Sequence, residues 1–335
     1  MKVVTLRAPG GLDKLTMQEA PDPGAPGPGE IRVRIHASSL NFHDYGVVAG
    51  KMPTADGRIP MSDGAGIVEE VGDGVSEFAV GDRVVSTFFP YWLEGPARIA
   101  DFTTTPGDGV DGYACEQVIR PAQWFTHQPK GYSHAESATL TTAGLTAWRA
   151  LVVDGGLKAG DKVLVLGSGG VSVFALQFAR MMGADVIATS SSDEKLARLE
   201  KLGAAHTINY QQEPEWGKRV KALTDGEGVD HVIEVGGPGT LPQSIDAVRI
   251  GGHISLIGVL TGRQGDVPTA KLMAKQARLQ GLIVGSRRHQ MEMIKALEAN
   301  AMRPIIDREF ALGDIADAFR YQEDGKHLGK ICLSF

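Results

Sequence analysis

Asp161-Lys-Val-Leu-Val-Leu-Gly167-Ser168-Gly169-Gly170-Val171-Ser172, followed by Val173-Phe-Ala-Leu-Gln-Phe-Ala-Arg-Met-Met, decides the fold. It reads as strand, glycine turn, helix. Val163 to Leu166 is apolar without polar alternation, the pattern of a parallel strand covered on both faces. Gly167 and Gly169 remove the Cβ atoms that would crowd the turn. Apolar Phe174, Leu176, Phe178 and Met181 punctuate the helix that follows. The free amides at its N-terminus suit a pyrophosphate. A second strand, Asp185-Val-Ile-Ala-Thr, comes at the right distance, which raises a weak glycine motif to a moderately strong one. Ser172 stands where the pattern has a third glycine; serine is small enough for helix–strand packing.

Beyond this turn strands and helices alternate. Strands are expected at Asp185 to Thr189, His206 to Tyr210, Val229 to Val235 and Gly252 to Gly258. Helices are expected at Asp193 to Leu202, Trp216 to Thr224 and Thr240 to Arg249, which makes a parallel, doubly wound sheet. Leu272 to Gln276 continues a helix, and Arg278 to Gly285 reads as a last strand. The N-terminal part is different. Lys2 to Leu6, Leu15 to Glu19, Ile31 to Ala37, Gly64 to Gly72 and Val80 to Val85 read as short strands with glycine turns, an irregular β-rich domain. The long connection from Val85 to Gly112 carries Phe88-Phe89-Pro90-Tyr91-Trp92-Leu93. Its aromatics either line a substrate pocket or pack the loop, and packing is the preferred reading. Leu140 to Leu151 reads as one helix with small residues along one side. Leu312 to Tyr321 is an amphipathic helix and Lys330 to Phe335 a closing strand that returns to the first domain.

A chain of 335 residues is long enough for two domains. Its net charge of −6 argues against a general affinity for nucleic acid or anionic membrane. No apolar run reaches the roughly 20 residues of a transmembrane helix, and Met1 to Leu6 resembles a strand more than a signal peptide. Two cysteines, Cys115 and Cys332, cannot build a disulfide framework or a four-cysteine zinc site. A cytoplasmic protein is the economical reading.

Gly81-Asp-Arg-Val84, Gly144-Leu-Thr-Ala, Gly160-Asp-Lys-Val-Leu-Val, the glycine turn and the final Gly329-Lys330-Ile-Cys-Leu together resemble the medium-chain dehydrogenase/reductase superfamily over nearly the whole chain. The resemblance is closest to its zinc-independent, quinone-oxidoreductase-like branch. It implies an α/β fold: a Rossmann doubly wound parallel sheet domain, residues 131–285, plus a β-rich GroES-like catalytic domain, residues 1–130 and 286–335. It also implies a homodimer, in which the edge strand pairs with its equivalent in a second subunit.

Zinc-dependent members use a cysteine, a His-Glu pair and a second cysteine or acid. These positions match Asn41, Asp63-Gly64 and Thr142 here, which do not make a soft tetrahedral site. No zinc is expected, and His36, His43 and Asp44 read as ordinary polar residues as far as a metal is concerned. Without a Lewis acid, a substrate carbonyl must be polarised by hydrogen bonds. Reduction of a quinone or enone, which delocalises the incoming charge, is then easier than oxidation of a simple alcohol.

The residue closing the second strand meets the adenine ribose in dinucleotide folds, and an acid there selects NAD. Here it is Ser190, with Lys195 one helical turn later and Tyr210 closing the next strand. Relatives use a lysine and a tyrosine at matching positions on a 2′-phosphate, so the expected cofactor is NADPH, with NADH as the alternative. Lys195 could instead be a solvated helix residue and Ser190 a helix cap. The resemblance further implies cofactor contacts at Thr142 and Thr146 on the nicotinamide side. It adds the turn Gly167, Ser168, Gly169, Gly170 and Val171, then Gly236 with Gly237, and Ile257 with Gly258 after the last two strands. Asn41, His43, Asp44 and Tyr45 fall on the segment that faces the nicotinamide in that branch. Asn41 is expected to orient a carbonyl or the cofactor. Tyr45 or His43, or water, is expected to donate the proton after hydride transfer. The expected activity is zinc-independent NADPH-dependent reduction of a quinone, enone or related small-molecule carbonyl. The alternatives are a metal-free alcohol or aldehyde dehydrogenase and a non-catalytic NADPH-binding sensor, with no nucleic-acid or membrane partner.

Overall fold

A computed structural model describes residues 1–99 and 101–335. Two compact units emerge: Met1–Leu145 with Gly285–Phe335, and Thr146–Val284. The first crossing thus lies 15 residues later than the expected 130/131. The helix His134–Ala138 explains the shift, because it packs against the Glu30–Ser39 strand of the first unit.

The second unit is built on Lys162–Leu166. This strand is central in a six-stranded parallel sheet. In spatial order its strands are His206–Asn209, Asp185–Ser190, Lys162–Leu166, Val229–Glu234, Val248–Leu256 and Arg278–Gly281. This is the doubly wound order expected from the alternation. Val163, Leu164 and Val165 are fully buried, as a strand covered on both faces requires. Helices Gly170–Met181, Asp193–Lys201, Trp216–Ala222 and Leu241–Ala247 alternate with the strands. Two boundaries differ from expectation. The helix before the fifth strand stops at Ala247, so Arg249 is already in the strand. The last strand is Arg278–Gly281 only, and Val284 beyond it has a positive φ of 44°.

That last strand forms the edge of the sheet and is tied in by a side chain. Arg278 Nε donates to His253 Nδ1 at 2.7 Å. A guanidinium can only donate, so Nδ1 must be unprotonated and the proton sits on Nε2, 3.0 Å from Ser255 Oγ. Burial, and secondarily the charge of Arg278, lower the His253 pKa to about 4.

The first unit holds a two-stranded antiparallel ribbon, Lys2–Leu6 with Leu15–Glu19, and a seven-stranded sheet centred on Glu30–Ser39. That long strand pairs with Ala65–Val71, Gln117–Pro121 and Lys330–Ser334. The sequence reading missed Ile306–Ala311, whose solvated face hides its alternation. It runs parallel to Lys330–Ser334, with the helix Ile315–Glu323 between them in the chain. Leu140 to Val153 is not a uniform helix. Two π-turns, Leu140–Gly144 and Arg149–Val153, flank a single α-turn, Leu145–Trp148. Both cysteines are buried free thiols. Among the described residues, no helix is long and apolar enough to cross a membrane.

The lowered His253 pKa fixes a sign. The fold favours the neutral imidazole, so the stabilisation is full above about pH 6.5 and is lost as pH falls towards 4. Thermal denaturation between about pH 7 and pH 4.5 should therefore show a falling Tm whose slope is reduced in His253→Gln. Equal slopes in the two proteins would disprove the role of this histidine.

Candidate active site

The first unit concentrates polar groups where a core would normally be apolar. Asn41 ends the Glu30–Ser39 segment and precedes the helix Phe42–Val48 as its N-cap. Asp44, on the first turn of that helix, accepts from the Asn41 amide at 3.0 Å and from the Ser62 amide at 2.8 Å. The first bond closes the helix cap and the second pins the Pro60–Asp63 loop to the helix start. They bring Asp63, fully buried, beside Asn41.

Asp63 is held by three close side-chain donors. Ser39 Oγ and Asn41 Nδ2 donate to Oδ2 at 2.6 and 2.8 Å, and Thr142 Oγ1 donates to Oδ1 at 2.6 Å. Ser62 Oγ stands 3.4 Å from Oδ1. Lys330, also fully buried, donates from Nζ to Leu40 O at 2.6 Å and to Asn41 Oδ1 at 2.5 Å, and lies 4.0 Å from Asp63 Oδ2. The ammonium therefore fixes the Asn41 amide: its oxygen must face the lysine and its NH2 the two carboxylates. Burial pushes the Asp63 pKa up to about 6, with the Asp44 charge acting the same way and Lys330 opposing. Burial likewise lowers the Lys330 pKa, against the pull of Asp63.

Asn41 and Asp44 are thus brought together as expected. His43 and Tyr45 are not. On a helix they project to other sides. His43 Nε2 is 3.4 Å from Asp108 Oδ2 without hydrogen-bond alignment, and the ring sits among Phe88 and Phe102. Tyr45 turns to the outer surface: its hydroxyl donates to Glu323 Oε1 at 2.5 Å and receives a bond from Lys51. In the aromatic segment Phe88, Phe89 and Trp92 are buried and pack on one another, Phe88 edge-to-face on Phe89 and Phe89 tilted against Trp92, while Tyr91 and Leu93 are exposed. Sequence reasoning missed Ser39, Ser62 and Lys330. It is Ser62 and Asp63 that face Asn41 and Thr142, while Gly64 lies against the Tyr113 ring and donates its amide to Ser86. Lys330 had one faint signal, a lysine opening an otherwise apolar strand, Ile331-Cys-Leu333. Among the described residues no three His, Cys, Asp or Glu side chains cluster as metal ligands.

In the second unit the glycine turn has the shape of a phosphate cradle. Gly167 has φ +75°, and a Cβ at Gly167 or Gly169 would project into space with no atom within 4 Å. Gly169 caps the Gly170–Met181 helix, so Gly170 and Val171 open its first turn beside half-exposed backbone, with Ser168 buried just before them. Ser172 is buried and donates to Leu166 O at 2.6 Å, which binds helix to strand where a glycine would only permit their approach. Ser190 and Tyr210 lie side by side at the strand ends, with the Tyr210 amide donating to Ser190 O. The helix cap is Ser192, not Ser190. Lys195 is half-buried one turn into that helix, and Asp193 is engaged by Asn209 and Gln212. Thr146 is buried in the Leu145–Trp148 turn.

The remaining expected contacts have other duties. The amides of Gly236 and Gly237 donate to the buried Glu234 carboxylate, so neither is left to bind a pyrophosphate. The amides of Ile257 and Gly258 are directed at Glu234 O. Gly258 is required by packing, since a Cβ there would lie 2.2 Å from Val235 O.

A glycine turn on a six-stranded, doubly wound parallel sheet and, in the same chain, a β-rich unit with a polar centre define a two-unit α/β architecture. Residues 27–130 match the family model described as alcohol dehydrogenase GroES-like domain, and residues 170–299 the one described as zinc-binding dehydrogenase. A zinc-type alcohol dehydrogenase-like protein of Schizosaccharomyces pombe is 41% identical over 96% of both chains. The crystal structure of an NAD-dependent alcohol dehydrogenase superposes with a TM-score of 0.90 at 33% identity, covering 100% of both chains. A quinone oxidoreductase of Pseudomonas syringae superposes at 0.83 with 29% identity, covering 100% of this chain and 99% of that one. The chain belongs to the medium-chain dehydrogenase/reductase superfamily. It is an oxidoreductase of that superfamily.

The ion pair in the polar centre makes a stability prediction. Lys330→Met leaves a buried carboxylate without its cation and should cost about 3–5 kcal/mol in urea unfolding. Lys330→Met with Asp63→Asn should cost clearly less than the two single changes added together. Additive losses would show that the two groups are energetically independent.

Proposed function

We propose that the chain is a zinc-independent, NADPH-dependent reductase of quinones, enones or related activated carbonyls. The observation that carries this reading is the hydrogen-bonded closure of the Asn41–Asp63–Thr142 centre around Lys330. The residues at the metal-ligand positions are amide, carboxylate and hydroxyl, and their donors and acceptors are already spent on each other. An ammonium supplies the positive charge, and soft ligands are missing from the set. Carbonyl polarisation then falls to hydrogen bonds, which suit an acceptor that spreads its own charge.

For the cofactor, the turn Gly167 to Val171 would hold the pyrophosphate. Ser190, Lys195 and Tyr210 would hold a 2′-phosphate through two hydroxyls and an ammonium, with no acid closing the second strand. Bound there, the cofactor supplies the hydride. Asn41 is held rigid by its side-chain bonds to Asp44, Asp63 and Lys330, among others, and is an orienting residue. His43, within its aromatic wall, is the second candidate for contact with the substrate. The outward bond of Tyr45 to Glu323 argues against a catalytic part for that residue. The names of the alcohol dehydrogenase relatives support a second reading, a metal-free alcohol dehydrogenase using the same centre.

NADPH oxidation against a panel of quinones, enones, aldehydes and ketones tests these readings. Turnover should be highest with quinones or enones, should favour NADPH over NADH and should survive dialysis against a chelator. Near-stoichiometric zinc in protein purified without added metal, or activity confined to alcohols, would overturn the first reading.

The Arg278–Gly281 strand offers an uncovered sheet edge in the second unit. A homodimer formed there is part of the proposal. Light scattering should give twice the chain mass of 35.6 kDa, and Leu279→Pro, which removes an edge donor, should shift it towards the monomer. A monomeric wild-type protein would refute the dimer.

A further inference from the structure

We propose that Thr142 and Asp63 form a proton relay, Thr142 handing a proton to the substrate oxygen and Asp63 restoring it. The inference rests on the reductase reading above and assigns its missing acid. Three observations lead to it. The Thr142 hydroxyl is 2.6 Å from Asp63 Oδ1, close enough for direct transfer. Thr142 is half-buried, whereas Asp63 is fully buried and can exchange with a substrate only through an intermediary. Thr142 sits in the Leu140–Gly144 π-turn, a local departure from α-geometry of the kind that re-aims side chains at functional sites.

The electrostatics support the same pair. Burial holds the Asp63 pKa near 6, within reach of neutral pH for both giving and taking a proton. The other ionisable groups around it are Asp44, Lys330, Cys332 and Tyr113. Asp44 raises its pKa and Lys330 lowers it. The Cys332 thiol and the Tyr113 phenol are both driven up by burial, so neither titrates in this range. Ser39 and Asn41 hold Oδ2, which leaves Oδ1 as the oxygen facing Thr142.

The step balances as follows. When bound, the reduced nicotinamide would supply a hydride with its electron pair to the carbonyl carbon, the C=O π pair moving to oxygen, or to the β-carbon of an enone, the C=C π pair then forming the enolate double bond as the C=O π pair moves to oxygen. That oxygen takes the Thr142 hydroxyl proton. Thr142 oxygen takes the proton of Asp63. The products are an alcohol or enol, an Asp63 carboxylate and the oxidised cofactor, and water later reprotonates Asp63. In the reverse direction Asp63 is the base.

The test compares wild type with Thr142→Val, Thr142→Ser and Asp63→Asn, using 9,10-phenanthrenequinone and 2-cyclohexenone as probes. Wild-type kcat should fall as pH rises through about 6, since the donor is the protonated acid. Thr142→Val should lower kcat by about 100-fold and abolish that pH limb. Thr142→Ser should restore both. A second readout needs no turnover: with aspartate labelled at the carboxyl carbon, NMR should show one signal titrating near 6 that is missing in Asp63→Asn. In Thr142→Val that signal should titrate higher, because a bond donated to the carboxylate is lost. Wild-type turnover with an unaltered pH profile in Thr142→Val would overturn the relay and leave the reductase reading standing. Failure of wild type on both probes counts against the reductase reading. In that case a carboxyl signal that Thr142→Val does not move would overturn the relay independently.

Discussion

The first unit depends on one arrangement: a lysine and an aspartate, both buried, joined through an asparagine. Neither charge is stable there alone. Lys330 spends its donors on Leu40 O and Asn41 Oδ1. Asp63 spends its acceptors on Ser39, Asn41 and Thr142. Asn41 links the two because an amide can accept from one and donate to the other. A carboxylate at position 41 would have no donor for Asp63, and an apolar residue would satisfy neither. The residue type follows from the arithmetic of donors and acceptors.

This dependence also draws distant stretches of chain together. Ser39 and Asn41 end a long strand, Asp63 lies on a loop, Thr142 on a π-turn and Lys330 at the start of the last strand. The final strand pairs with the first long one, Cys332 opposite Ser39, which sets the lysine beside Asn41. The C-terminal segment is thereby a structural part of the site nearly 300 residues away from it in sequence.

What could be read in advance follows the range of the interactions. The doubly wound parallel sheet came from local signals: the apolar run Val163 to Leu166, the glycine turn and the alternation after it. Asn41 and Asp44 were singled out by the family resemblance of their segment, while the helix cap that joins them was not foreseen. Lys330 was not singled out, since its meaning arises only from pairing across the sheet. The π-turns around Leu145 were equally hidden, because the apolar spacing of Leu140 to Leu151 is compatible with an ordinary helix. His43 and Tyr45 were grouped with Asn41 by sequence proximity, but successive helical residues turn by roughly 100°, which sends them to an aromatic wall and to the outer surface.

Gly236 exposes a different limit. A glycine after a parallel strand invites a ligand-binding reading, and position alone supports it. The decisive neighbour is Glu234, fully buried two residues earlier. Its Oε1 takes the amides of Gly236 and Gly237 and the Thr240 hydroxyl, and its Oε2 takes the Ser244 hydroxyl. A carboxylate at the end of an apolar strand looks like a catalytic or cofactor group, yet here four internal donors consume it. Asp63 differs in the kind of donor it takes. Each carboxylate has one partly buried threonine hydroxyl among its partners, Thr240 for Glu234 and Thr142 for Asp63. Glu234 also takes two backbone amides, which tie it to the shape of its own loop, whereas Asp63 takes the side chains of Ser39, Asn41, Ser62 and Thr142. The two units thus use the same device, a buried carboxylate that gathers a loop, and the donor set rather than the residue type distinguishes them.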